Sequence, residues 1–137
     1  ENGFIAHDDD VDILYTDGST SQAEALERRA ALVTRLEMYG FKLQKNFKNA
    51  NFHVTNGDVI IDIFPCWQEG EMMQIMQSYP NFKPIPVANL LPVGQVDLYD
   101  RNYPAPALPN AFLAWRYGDG WQTPDAYHEW PWKMHTD

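Results

Sequence analysis

The run Phe4-Ile5-Ala6-His7-Asp8-Asp9-Asp10-Val11-Asp12-Ile13-Leu14 narrows the folds open to this chain more than any other stretch. Four carboxylates fall within five residues, with apolar residues on both sides. Val11, Ile13, Leu14 and Tyr15 have the character of a strand rather than of an acidic tail. Alternate residues of a strand share a face, so Asp8, Asp10 and Asp12 point one way while Val11 and Ile13 point the other. Asp9 leaves from the opposite face to its acidic neighbours. Carboxylates gathered on one face repel one another and call for a counter-charge. Three of them in front of an apolar face suit a hard divalent cation such as Mg2+ or Mn2+. A solvated loop of aspartates is the plain alternative. An EF-hand loop is excluded by counting: from Asp8 its sixth and twelfth positions hold Ile13 and Ser19, and from Asp10 its fifth is already Leu14.

A second aspartate stands in another strand pattern. Phe52 to Thr55 and Val59 to Phe64 flank Asn56-Gly57, a strong signal for a tight hairpin. Val59, Ile61 and Ile63 share one face; Asp58, Ile60, Asp62 and Phe64 share the other. An aspartate within Ile60-Ile61-Asp62-Ile63-Phe64 is costly to bury without a partner, which makes Asp62 the natural companion of the first cluster. Pairing with a lysine or a backbone amide is the plainer account of it. The single cysteine, Cys66, rules out an internal disulfide and reads as a small packed residue.

The remaining elements are legible in outline. Ser21-Gln22-Ala23-Glu24 is a capping box, opening a helix from Gln22 to about Tyr39 with Leu26, Ala30, Val33 and Leu36 on its packed side and Gly40 as its stop. Phe41 to Phe47 alternates as a strand. Pro65 is expected to end the second aspartate's strand, and Glu69 to Ser78 to form a short helix with Met72, Met73 and Met76 in the core. Tyr79 to Pro109 carries most of the chain's ten prolines and is expected to be extended and irregular. Leu108-Pro109-Asn110 opens a last helix through Tyr117, closed by Gly118. Trp121, Trp130 and Trp132 follow, with packing their commonest use.

These patterns predict a single α+β domain over residues 1–137, built on a small mixed sheet. The net charge of −9 argues against nucleic acid, whose phosphates need a basic surface. It still allows a nucleotide whose phosphates are bridged by metal. No apolar run reaches the roughly 18 residues needed to cross a bilayer. With no signal peptide visible, a cytoplasmic, reducing setting is the expectation. The chain opens on Glu1 rather than Met, which reads as a trimmed or partial sequence.

Three blocks together resemble the LicD family, to which fukutin and fukutin-related protein also belong. They are Phe4-Ile5-Ala6-His7-Asp8-Asp9-Asp10-Val11-Asp12-Ile13; Ile61-Asp62-Ile63-Phe64-Pro65; and Leu98-Tyr99-Asp100-Arg101 with Leu113 and Tyr117-Gly118-Asp119-Gly120-Trp121-Gln122-Thr123-Pro124. The resemblance implies a nucleotidyltransferase-like fold. It also implies transfer of phosphocholine or a polyol phosphate from a CDP-linked donor to a glycan acceptor. On that reading Asp10, Asp12 and Asp62 are the metal ligands and Asp8 assists, orienting or deprotonating the acceptor hydroxyl. Arg101 and Lys42 or Lys45 are candidates for the phosphate site by residue type. The family's Gly-rich segment and arginine before the acidic block have no counterpart here, since only Glu1 and Asn2 precede Gly3. That departure implies a sheet core lacking the family's first helix. It also keeps two other functions in view: a catalytically silent binding domain, and an enzyme that adds a nucleotide instead.

Overall fold

A computed structural model describes residues 10–44, 52–57, 59–76 and 83–123 of the chain. In order these form β1 (Asp10–Thr16), α1 (Gln22–Met38), β2 (Lys42–Gln44), β3 (Phe52–Asn56), β4 (Val59–Glu69) and β5 (Met72–Ile75). Then follow β6 (Ile85–Pro86), α2 (Val87–Leu90), β7 (Gly94–Leu98), β8 (Arg101–Ala105) and α3 (Pro109–Tyr117). The architecture is α+β: a six-stranded mixed sheet runs β2-β3-β4-β5-β6, with β1 added parallel to β4, and β7 and β8 form a separate ribbon. The Asp8 and Asp9 positions, Lys45, Trp130 and Trp132 lie outside the described residues.

Strand β4 is the spine. It takes β1 along one side over Ile60 to Cys66, and along the other it takes β3 as far as Ile63 and then β5 from Cys66. The strand therefore does not stop at Pro65, as its sequence suggests. Pro65 falls in the gap between β3 and β5, where its carbonyl accepts from Met76 N–H at 2.9 Å. N–H and C=O of one strand residue point to the same side, so the donor that proline lacks would have pointed into that gap. Residues 72–75 are likewise a strand and not a helix: Gly70, at φ +61°, turns the chain so that Glu69 faces Met72. Met73 and Met76 are core residues, as their pattern suggests.

Parity along β4 sorts the core into two. On one face Phe64, Cys66, Met73, Ile75, Ile85 and Leu90 pack together, with Leu14, Val87, Leu91, Phe112 and Trp115 closing over them. On the other, Trp67 and Met76 meet Ala25 and Leu26 of α1. Helix α1 thus covers one face, and α2 with α3 the other. The Ser21 hydroxyl accepts from Glu24 N–H, and the Glu24 carboxylate reaches one residue further back than the box requires, to Thr20 N–H at 2.9 Å. Ala30, expected on the packed side, is exposed; the neighbouring Arg29 lies inward, its guanidinium 5.8 Å from the Phe52 ring centre. Between Leu90 and Pro109 the chain is more regular than its prolines suggest, because β7 and β8 pair through a two-residue turn at Tyr99 and Asp100.

Candidate functional site

The parallel pairing of β1 with β4 sets Asp12 directly opposite Asp62. Paired residues of neighbouring strands point to the same face, so two carboxylates separated by about 50 residues of chain stand side by side. Leu14 and Phe64, the next pair of like parity, are already under the α2–α3 core. The acidic pair therefore sits where that core ends and solvent begins: Asp12 is exposed and Asp62 half-buried. Asp10 is two positions earlier on β1, at the register position of Ile60. Val11 and Ile13 take the opposite parity, and both remain more than 40% exposed beyond the reach of α1.

Asp62 has a partner that the charge pattern alone does not reveal. His53, opposite it across the β3–β4 hairpin, brings Nδ1 onto the Asp62 Oδ1 atom. An ionised carboxylate only accepts, so Nδ1 carries the proton. A two-residue turn at Asn56-Gly57, as the sequence suggests, would set His53 opposite Ile60; the observed pairing of Asn56 with Val59 shifts that register and brings His53 to Asp62. Arg116, near the end of α3, is the one charged side chain that is buried among the described residues, at 7% exposure. Burial pulls its guanidinium below the ordinary arginine value, while the Tyr117 phenol and the Asp12 carboxylate push it back up. It stays cationic at any ordinary pH. The sequence signal for it was a lone basic residue in the apolar run Ala111 to Tyr117.

The other candidates stand elsewhere. Arg101 is exposed on the β7–β8 ribbon, and Lys42 is exposed on β2. Asp17, just past β1, is used locally: its carboxylate accepts from Ser19 N–H at 3.0 Å, and Arg28 reaches it at 3.7 Å. Cys66 is 3% exposed, and burial pushes its thiol from 9.0 up to about 12, which fits packing and not nucleophilic work.

Among the described residues no group of three or more His, Cys, Asp or Glu side chains gathers to hold a metal ion. What they do contribute is two aligned carboxylates, one of them braced by an imidazole. That oxygen-donor set fits a hard divalent cation, and hydrogen-bonded bracing is the usual support for a ligating carboxylate. Among the described residues, no helix is long and apolar enough to cross a membrane. No curated protein sequence matches the chain. Residues 1–108 match the family described as LicD/FKTN/FKRP, nucleotidyltransferase domain. That match spans the acidic run, the β1–β4 pairing and the hairpin that carries His53 and Asp62, and the chain belongs to this family, whose members are generally transferases of the phosphotransferase type.

Proposed function

We propose that this domain transfers a phospho-substituent, phosphocholine or a polyol phosphate, from a CDP-linked donor to a hydroxyl of a glycan. The observation that carries the proposal is the alignment of Asp12 with Asp62 on one face, within a chain of this family. Asp10, Asp12 and Asp62 would hold a magnesium or manganese ion, which when bound neutralises charge on the donor's diphosphate. Phosphoryl-type transfer asks a protein mainly for position and for charge neutralisation, and carboxylates on a rigid sheet supply the first.

The acceptor hydroxyl oxygen forms a bond to the phosphorus that bears the choline or polyol. The bond from that phosphorus to the bridging oxygen breaks, and CMP leaves with that oxygen. Asp8 takes the hydroxyl proton. His53 keeps Asp62 in one orientation, donating from Nδ1.

Incubation of the protein with magnesium, a glycan panel and CDP-choline labelled in the choline tests this. Transfer leaves the label on the glycan. Nucleotide addition would release it as phosphocholine, and a silent binding domain would return the donor unchanged; either result sinks the proposal.

A further inference from the structure

We propose that Arg116 is a positioning residue of the acidic site, a resident cation that holds Asp12 alongside Asp62 before any ligand arrives. It rests on reading Asp12 and Asp62 as the functional pair, and it concerns a residue beyond the span matched to the family. Helix α3 lies on the face of the sheet that bears the two aspartates, since Phe112 and Trp115 pack on the cluster containing Phe64 and Leu14. Arg116 is one helical turn beyond Phe112, on the same side of α3. The Trp115 indole N–H, donating to the Lys83 carbonyl at 3.0 Å, anchors that turn.

The chemistry asks for such a group. Two ionised carboxylates on adjacent strands repel, and a net charge of −9 supplies no general relief. The other arginines of the sheet region are engaged elsewhere: Arg28 pairs with Glu24 at 2.5 Å, and Arg29 lies over Phe52 on the opposite face. A buried guanidinium is retained only when anions or acceptors compensate it, and among the described residues Tyr117 and Asp12 act on Arg116 in that sense. Asp12 and Arg116 thus stabilise each other, one at the solvent edge and one beneath it. The last turn of α3 adds the negative end of its dipole, which favours a cation there.

A double-mutant cycle in chelator tests the pair by melting temperature. Arg116→Met and Asp12→Asn should each lower it by about 5 °C or more, and the combined variant should lose clearly less than their sum. Additive losses would overturn the proposal, because a merely structural Arg116 would not know the charge at position 12. Should Arg116→Met alone fail to fold, recovery of folding by adding Asp12→Asn supports the pairing, and failure to recover refutes it. Arg116→Lys should retain part of the stability through its charge. Magnesium is added in a separate arm. If it leaves the wild-type melting temperature unmoved, the metal reading of the site fails, while the cycle in chelator still decides the role of Arg116.

Discussion

At the scale of single residues, the carboxylates divide by what surrounds them. Asp12→Ala and Asp10→Ala should each reduce transfer from a CDP-linked donor by more than about 100-fold, measured by label reaching the glycan. Their stabilities in chelator should differ. Repulsion alone predicts that removing either charge leaves the melting temperature unchanged or higher. Because Asp12 is one of the charges that compensate the buried Arg116, Asp12→Ala should lower it instead. Asp62→Asn should abolish magnesium binding by calorimetry, and His53→Ala should weaken it by about 10- to 100-fold through loss of bracing. Asp9→Asn should be mild; a loss matching that of Asp12→Ala would show that strand parity misassigns it. The acidic residues were legible because charges in an apolar strand pattern are conspicuous. His53 and Arg116 were not, since a histidine in a hairpin and an arginine in a helix are ordinary until the register shows what they face.

Among the elements, local signals worked where one signal decided the outcome. The capping box fixed the start of α1, Pro109 and Gly118 bounded α3, and Asn56-Gly57 marked the β3–β4 hairpin. They misled where tertiary pairing overrode them. Pro65 breaks most strands, yet β4 passes through it because neither flanking strand needs a donor there. The β7–β8 ribbon was hidden for a different reason. Its turn uses Tyr99 at φ +53° followed by Asp100, so the glycine or asparagine that normally advertises such a turn is missing. Replacing Tyr99 by glycine should therefore relieve a left-handed backbone and leave stability unchanged or raised by up to about 1 kcal/mol, read from a denaturant melt. A marked loss would mean that the exposed ring contributes more than its backbone costs.

For the whole molecule, alkaline pH provides a probe of the packed core. Burial pushes the Cys66 thiol from 9.0 to about 12, and burial with the nearby Asp17 charge pushes the Tyr15 phenol from 10.0 to about 12. Below pH 9 both groups are protonated in the native and unfolded chain, so their contribution is fully present. Between pH 9 and 12 the unfolded chain releases protons that the native chain retains, and stability falls as pH rises. The melting temperature should decline across that window, and Cys66→Ala should delay the onset towards pH 10. A flat profile to pH 12 would contradict the burial of both groups. The parallel docking of β1 on β4 has a kinetic consequence as well. Asp12 and Asp62 meet only after about 50 residues of chain have been closed into a loop, whereas α1 and the β3–β4 hairpin assemble from near neighbours. Helical signal should thus recover early in a stopped-flow refolding experiment, and the capacity to bind magnesium should emerge only with the last phase. On this view a chain still growing from the ribosome lacks the Asp12–Asp62 pair, and with it the proposed cation site, until β4 has been made.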